Sequence, residues 1–374
     1  MPLSPFVAHF ATVPDPRVDR TKKHLLLDLL LIALLAVICG AEGWEDMETF
    51  GRAKERFLRE RLGLPLPNGI PSHDTFRRVF ARLDPQAFGR AFTAWTQTLR
   101  LTHDGEILAL DGKTLRHSFD TAQGQAPIHL VTAWATNCRL VLAQLPVSDK
   151  SNEITAFPAL LSLLDLDGCT VTIDAMGCQR EIARQIIEQG GDYVLAVKEN
   201  QPTLLENLRL FFDDVRVNGP GAHPVSAFRS VEKDHGRIET RTYCQTDAID
   251  WLEGKEKWVG LCSIGMVEAR RRIGEEESVE RRYFISSLPR RVRRLAAAVR
   301  GHWGIENQEH YILDVAFRED ACRIRRENAP VNLATLRHMA LNLLQGEPTS
   351  KRGVKARLRQ AGWDDDYLLR VLVH

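Results

Sequence analysis

Residues 107–114 read ILALDGKT, a short apolar run that ends at Asp111 and continues into a glycine and a lysine. Residues 170–177 read TVTIDAMG and repeat the arrangement, with Asp174 after a second apolar run. Apolar runs of this length, bounded by turn residues, are typical of buried strands. A single aspartate at such a boundary is compatible with a purely structural role in the turn. The recurrence is more informative, because two carboxylates at neighbouring strand ends repel each other unless a cation lies between them.

From residue 107 onward, short apolar runs alternate with helical segments, which predicts an α/β domain. Three strands come first, followed by helix, strand, helix, strand and helix. This order matches a ribonuclease-H-like fold, a mixed five-stranded sheet with flanking helices in which the first and fourth strands are neighbours. Adjacent strand ends lie about 5 Å apart laterally, so Asp111 and Asp174 are expected to converge. The predicted strands are Ile107–Leu110, His129–Ala135, Leu140–Val147, Thr170–Ile173 and Tyr193–Val197, and the predicted helices are Glu153–Leu164, Gln179–Gln189 and one beginning near Pro202.

Shifts in pattern along the 374 residues predict five segments. Near the N terminus, prolines separate short segments with helical periodicity. Later, the alternation of strands and helices is interrupted by strand-like runs at Arg237–Cys244, Trp258–Val267 and Arg282–Ser287. An arginine triplet at 270–272 and a glutamate triplet at 275–277 indicate a hairpin tip within that interruption. The predicted segments are a helical N-terminal domain (1–100), the first part of the α/β core (101–214), a β-rich insertion (215–288), further core helices (289–347) and a C-terminal helical tail (348–374).

A third acidic residue of interest, Glu306, lies in the helical segment that follows the insertion. A carboxylate within a partly apolar stripe needs a partner to stay ionised, and a metal ion or an arginine such as Arg300 would supply one. Two alternatives remain open: a local pairing of Glu306 with His302 or His310, and a zinc site built from those three residues, although the HExxH spacing is missing. The residues predicted to share this helix face are Leu295, Val299, His302, Trp303, Glu306, His310 and Leu313.

The overall charge does not indicate a nucleic-acid partner, because 50 Lys and Arg residues face 49 Asp and Glu residues and the net charge is +1. Any DNA contact must therefore come from local basic patches. After Pro71, a helix is predicted with an apolar stripe of Phe76, Val79, Phe80 and Leu83. Its arginines form either an ordinary solvated face or a contact to the DNA backbone. The basic clusters are Arg77, Arg78 and Arg82, and then Arg290, Arg291, Arg293 and Arg294.

Cysteine usage and hydropathy favour a cytoplasmic protein. The seven cysteines are an odd number without any CxxC pair, which argues against a disulfide framework and a zinc knuckle. The most apolar stretch, Leu29–Cys39, has only 11 residues, well short of the roughly 20 that span a bilayer, and it begins too late for a signal peptide. A buried helix is predicted there.

Five motifs occur in a specific order: DGKTLRHS from Asp111, KSNEI from Lys150, TIDAMGCQ around Asp174, YVLAVKENQ from Tyr193 and HWGIEN from His302. Together they resemble bacterial insertion-sequence transposases of the DDE type, in the group that includes the H-repeat-associated proteins. The resemblance runs from about residue 15 to the C terminus. The ordered set is far more specific than any one motif.

The resemblance implies a catalytic triad of Asp111, Asp174 and Glu306 that holds Mg²⁺ or Mn²⁺. These hard cations prefer oxygen ligands, and two ions about 4 Å apart would serve an in-line displacement. The implied reaction is DNA cleavage at transposon ends and strand transfer into target DNA, carried out in the bacterial cytoplasm at the nucleoid. The implied partners are double-stranded DNA, with its terminal inverted repeats and target, and a second copy of the chain in a synaptic homodimer. The candidate DNA-binding residues are Arg77, Arg78, Arg82, Lys113, Lys198, Arg290, Arg291, Arg293, Arg294 and Arg300, with the N-terminal domain as a DNA-binding domain.

One departure from the broader relatives concerns the surroundings of the glutamate. Those relatives tend to carry a tyrosine seven residues and an arginine four residues before it, and a lysine seven residues after it. Here the positions hold Val299, His302 and Leu313. The DNA-handling roles of that trio therefore cannot be transferred, and Arg300, Lys198 and Arg318 are the candidate substitutes. Two other functions stay open: a ribonuclease-H-like nuclease without strand transfer, and a DNA-binding relative with a decayed active site.

Overall fold

The computed structural model describes residues 4–99, 105–119, 124, 126–147, 153–219, 223–234 and 236–373. Residues 150–152 of the KSNEI motif lie outside these ranges. The chain divides into two compact units. The first unit comprises Met1–Leu101, Gly112–Asn152 and Glu306–His374, and the second comprises Thr102–Asp111 and Glu153–Ile305.

The described residues form a mixed α/β structure. The strands are β1 Ile107–Thr114, β2 His129–Ala135, β3 Leu140–Val147, β4 Thr170–Ile173, β5 Asp192–Val197, β6 Ser226–Asp234, β7 Arg237–Thr246, β8 Ser263–Ile273 and β9 Glu276–Ser286. The α-helices are α1 Ser4–Phe10, α2 Leu26–Ile38, α3 Trp44–Ala53, α4 Glu55–Glu60, α5 His73–Arg82, α6 Pro85–Leu99, α7 Glu153–Leu161, α8 Arg180–Glu188, α9 Pro202–Asn218, α10 Val292–Gly304, α11 Tyr311–Val315, α12 Ala329–Gly346, α13 Val354–Trp363 and α14 Asp365–Val373.

In the second unit, seven strands form a mixed sheet in the order β1-β4-β5-β9-β8-β7-β6. β1, β4 and β5 are mutually parallel, and α7 and α8 supply the crossovers that parallel pairing requires. β4 is buried along its whole length, as expected for a parallel strand covered on both faces. The predicted adjacency of the first and fourth strands is confirmed.

The β-rich segment continues the core sheet. The sequence predicted a five-stranded core and a separate insertion, but β9 pairs antiparallel with β5 across Val194–Val197. This pairing satisfies backbone groups that a free edge of β5 would leave open. The predicted hairpin tip is confirmed, since β8 ends at Ile273 and β9 begins at Glu276 with Gly274 at φ 59° in the turn. The predicted start of the strand Trp258–Val267 was wrong, because β8 begins at Ser263.

The core of the first unit is built around two nearly all-buried helices, α2 and α12. The predicted buried helix is confirmed, because every residue of α2 from Asp28 to Ile38 is buried. α12 packs against α2 and β3, and Asn342 on α12 bonds both the N–H and the carbonyl of Val141 at 2.8 Å. No helix within the described ranges combines the length and apolar character that a bilayer crossing requires.

Candidate active site

Asp111 and Asp174 lie side by side on neighbouring parallel strands of the second unit. The last register pair between β1 and β4 is Leu110 with Ile173, so the two aspartates are the next residues along each chain. Parallel neighbours lie about 4.8 Å apart and direct matched residues to the same side of the sheet. Asp111 does not end its strand as predicted, because β1 continues to Thr114. The register places Asp111 and Asp174 directly after paired residues of adjacent strands.

Two donors hold the Asp174 carboxylate in its ionised form. The backbone N–H of Ala175 donates to Oδ1 at 2.6 Å, and Lys198 Nζ lies 3.1 Å from the same oxygen. Burial acts to raise the pKa of Asp174, but the hydrogen bonds from Ala175 and Lys198 outweigh it, and the pKa falls below its ordinary value. Asp174 is therefore a charged, exposed acceptor at neutral pH.

Side chains that follow β5 brace the turn after Asp174. Asn200 donates from its amide to the carbonyl oxygen of Ala175 at 2.6 Å, and Gln201 donates to the carbonyl oxygen of Cys178 at 3.0 Å. Parallel pairing of β4 with β5 makes these contacts possible, because both strands end at the same side of the sheet. The YVLAVKENQ motif thus supports the backbone that carries the aspartate.

Gly177→Ala is expected to destabilise the protein by about 1–3 kcal/mol, the usual cost of overpacking a core. A Cβ at Gly177 would lie 2.2 Å from Cγ2 of Ile173, so the turn or the strand beneath Asp174 must move. Denaturant unfolding measures the effect. The matched control is Gly89→Ala on α6, where a Cβ meets nothing within 4 Å and the helix gains propensity. Equal stabilities of the two variants would contradict the prediction.

His302 stands close to Asp174 as a neutral ring. Its Nδ1 lies 3.2 Å from the hydroxyl oxygen of Thr172. Burial lowers the pKa of His302 to about 4 in spite of the opposing attraction of Asp174. The imidazole is therefore uncharged at neutral pH, and it does not supply the positive charge that an arginine carries at this position in the broader relatives.

The helix face predicted to carry Glu306 is interrupted. α10 ends at Gly304, and Ile305–His310 is π-helical before α11 begins. The wider π-turn breaks the spacing of three and four residues on which the prediction rested. Glu306 is exposed and belongs to the first unit, whereas Asp111 and Asp174 belong to the second. Among the residues that the structure describes, no group of three or more His, Cys, Asp or Glu side chains is arranged to hold a metal, including the alternative zinc set.

A cavity of about 210 Å³ opens beside Asp174 within the second unit. Lys198, Arg209 and Arg282 contribute cationic groups to its wall, and Val194 and Val299 are among its apolar lining. The guanidinium of Arg282 lies 4.2 Å from the ring centroid of Trp303, which also lines the cavity. Neither Arg209 nor Arg282 was predicted as a site residue. The sequence feature that could have pointed to this cavity is Trp303 of the HWGIEN motif, three residues before Glu306, because its ring contacts Arg282.

Two family models match consecutive parts of the chain. Residues 102–343 match the model described as "Transposase DDE domain", and residues 7–96 match the model described as "DDE_Tnp_1-associated". The chain belongs to the DDE transposase family. "H repeat-associated putative transposase YhhI" of Escherichia coli K12 is 40% identical over 100% of this chain and 98% of its own. "Uncharacterized protein in dhlA 3'region" of Xanthobacter autotrophicus is 51% identical over 74% of this chain and 92% of its own. The structure titled "Cryo-EM structure of piggyBac transposase synaptic complex with hairpin DNA (SNHP)" has a TM-score of 0.42 at 9% identity, over 96% of this chain and 75% of that chain.

Lys113 of this transposase is engaged within the first unit. Its ammonium group lies 2.5 Å from Asp314 and 2.8 Å from Glu319, and only 11% of its side chain is exposed. Arg337 also lies 3.6 Å from Glu319. Burial acts to raise the pKa of Glu319, but the charges of Lys113 and Arg337 lower it to about 2. Lys113 was predicted to bind DNA, and its burial between two carboxylates instead assigns it to the fold of this transposase.

The other predicted DNA-binding arginines are exposed, except for Arg294, which is half-buried. Arg78 donates to the carbonyl oxygen of Asp74 at 3.1 Å. Five more of these arginines have intramolecular contacts within their own units. These are Arg77 with Asp74 at 2.6 Å, Arg290 with the Pro224 carbonyl at 2.7 Å, Arg293 over the Phe228 ring at 4.5 Å, Arg294 with the Thr170 hydroxyl at 3.5 Å and Arg300 with Glu232 at 2.8 Å.

Proposed function

We propose that this DDE transposase cleaves DNA at the ends of an insertion sequence and joins the freed strand to target DNA, with Asp111, Asp174 and Glu306 as its metal-binding acids. The observation that carries the proposal is the parallel register of β1 and β4, which sets Asp111 and Asp174 next to each other. Glu306 completes the set through the family resemblance and the position of HWGIEN after the β-rich segment.

The two aspartates fit a divalent cation. They are neighbouring carboxylates, and Asp174 already attracts the ammonium group of Lys198 as a counter-charge. Oxygen donors of this kind suit Mg²⁺ or Mn²⁺, and a two-ion site would require the third carboxylate, Glu306. Bound metal would activate the attacking oxygen and stabilise the leaving oxygen of the phosphodiester.

The chain's own groups prepare the site for a DNA strand. The Ala175 N–H keeps the Asp174 carboxylate ionised and oriented. Once a cation neutralises that carboxylate, the ammonium group of Lys198 can pair with a phosphate of the bound strand instead. Arg209 and Arg282 line the adjacent cavity and offer further donors to the backbone of the bound strand. The neutral His302 adds no charge repulsion against an incoming metal ion.

The DNA partners in this proposal are the terminal inverted repeats and the target duplex, reached in the bacterial cytoplasm. Joining of two ends requires that they be held together, so we infer a homodimer in the synaptic complex. Incubation of the full chain with its own flanking DNA ends and Mg²⁺, followed by sequencing of the junctions, tests the function. Joined strands support transposition. Nicks without joining indicate a ribonuclease-H-like nuclease, and DNA binding without cleavage indicates a decayed relative.

Charge reversal of the exposed arginines is expected to weaken DNA binding and flatten its salt dependence. Each phosphate contact that is lost lowers the slope of log affinity against log salt by about 0.9. Arg78→Glu with Arg82→Glu tests the α5 cluster, and Arg291→Glu tests the second cluster. Fluorescence anisotropy with a duplex of the terminal repeat measures the slope. An unchanged slope in all these variants, with an unchanged melting temperature, removes both clusters from the DNA interface.

A further inference from the structure

Helix α13 in the first unit carries a row of exposed basic and aromatic side chains. Lys355, Arg359 and Trp363 are spaced four residues apart, so they lie on one face of the helix about 6 Å apart along its axis. Arg352 precedes the helix by two residues and is also exposed. Trp363 is 81% exposed. The face therefore presents three cations and an indole ring with an N–H donor to solvent.

The opposite side of α13 is fixed to the first unit. Leu358 and Ala361 are buried there, and α13 packs against α12 and α14. Arg357 donates to the carbonyl oxygen of Glu347 at 2.9 Å and also to the carbonyls of Leu344 and Ser350. The helix is therefore held rigidly, and its basic row is presented to solvent.

No acidic side chain in the described part of the chain forms an ion pair with this basic row. The three aspartates that follow it are occupied elsewhere. Asp365 pairs with Lys54 at 2.6 Å and Asp366 pairs with Arg61 at 2.8 Å. Asp364 accepts the backbone N–H groups of the next helix at 3.0 Å. The face therefore keeps the positive charge of Arg352, Lys355 and Arg359.

The composition of the face identifies the class of partner. Unneutralised cations at regular spacing complement a polyanion, and the indole N–H beside them can donate to a phosphate oxygen. A second protein copy would need to bring acidic groups to the same row. The family models end at residue 343, so α13 lies beyond both matched regions.

We propose that the Arg352–Lys355–Arg359–Trp363 face of α13 binds the phosphate backbone of duplex DNA. This inference rests on the proposed function, because it gives the transposase a DNA contact separate from the acids that cut. The three cations each neutralise a phosphate, and Trp363, at the C-terminal end of the row, donates its indole N–H to the adjoining backbone. The C-terminal helices thereby add affinity without sequence preference.

The test uses the full-length triple variant Arg352→Gln, Lys355→Gln and Arg359→Gln with duplex DNA. The slope of log affinity against log salt is expected to fall by about 2.7. Between 50 and 200 mM salt, the wild type then loses about 40-fold more affinity than the variant. The emission of Trp363, taken as the difference between wild type and Trp363→Phe, is expected to change on addition of DNA.

The matched control removes three positive charges that are already paired with acids, through Lys22→Gln, Arg56→Gln and Arg184→Gln. Its salt slope is expected to equal that of the wild type. An unchanged slope in the α13 variant overturns the inference. So does a Trp363 signal that follows protein concentration without DNA, accompanied by a change in mass by light scattering, because the occupant is then a second copy.

Failure of this inference is distinguishable from failure of the proposed function. If wild-type protein cuts and joins DNA while the α13 variant keeps the full salt slope, only the α13 inference fails. If the slope falls as expected but no wild-type cleavage occurs with Mg²⁺ or Mn²⁺, the α13 face stands and the proposed reaction fails. Melting temperatures of the exposed-residue variants establish that each one is folded.

Discussion

Asp111→Asn, Asp174→Asn and Glu306→Gln are each expected to lower DNA strand cleavage by at least about 10³-fold while DNA affinity changes little. Each substitution keeps the size and shape of the side chain and removes only the negative charge. An amide is a poor ligand for Mg²⁺ compared with a carboxylate, so the site loses its hold on the cation. When several catalytic residues act together, removal of any one of them costs the enzyme most of its activity.

Cleavage of a labelled terminal-repeat duplex in Mg²⁺ measures the effect, and anisotropy with the same duplex measures binding. Asp250→Asn is the matched control, because Asp250 is a fully exposed aspartate of the second unit that pairs with nearby Lys255. The control is expected to cleave at the wild-type rate. Any of the three variants that cleaves at a near wild-type rate excludes that residue from the catalytic set.

Lys113→Met is expected to lower the free energy of unfolding by about 3–5 kcal/mol, the usual cost of breaking a buried ion pair from one side. The substitution removes the main counter-charge of Glu319, which is 2% exposed, and leaves Arg337 at 3.6 Å. Chemical denaturation measures the loss. Arg56→Met is the matched control, because its pair with Glu60 is exposed and solvent screening leaves such a pair little effect on stability. Equal stabilities of the two variants would contradict the assignment of Lys113 to the core.

The acid side of the stability profile tests the same pair. Glu319 has a pKa of about 2 in the folded protein against an ordinary value of 4.5. A depressed carboxyl pKa stabilises the fold above pH 4.5, and this contribution is lost as the pH falls toward 2. Wild-type protein is therefore expected to lose stability across that window. Lys113→Met is expected to lose less there, because the main cation that lowers the pKa of Glu319 is gone.

Local patterns in the sequence were sufficient to predict the elements that hold the two aspartates. Apolar runs bounded by turn residues gave the positions of β2, β3 and β4 as observed, and β5 within one residue. The alternation of strands and helices then predicted that β1 and β4 are neighbours, because parallel strands need a crossover and the order of crossovers limits the possible sheets. Asp111 and Asp174 were found by this route.

Patterns were insufficient where a contact depends on a distant segment. β6 lies at an edge of the sheet and reads SAFRSVEKD, which has few apolar residues and no regular alternation, so its sequence resembles a surface loop and it was not predicted. The pairing of β9 with β5 joins segments about 90 residues apart, and the sequence of neither strand indicates which strand it pairs with. Lys113 follows Asp111 by two residues, and its position in the sequence predicted a cation that binds DNA. The fold instead pairs it with Asp314 and Glu319, which lie about 200 residues further along the chain.

The amino-acid sequence by itself determined the family and the strands that lead to Asp111 and Asp174, because burial periodicity and motif order are local properties of the chain. Tertiary structure alone decided which charges are neutralised and which face solvent. It buried Lys113, gave Asp174 the counter-charge of Lys198, placed a π-turn at Glu306 and left the α13 row without acidic partners among the residues that the structure describes. The physical reason is that a charged side chain pairs with an opposite charge that the fold brings within a few ångströms. Separation along the sequence does not predict that distance.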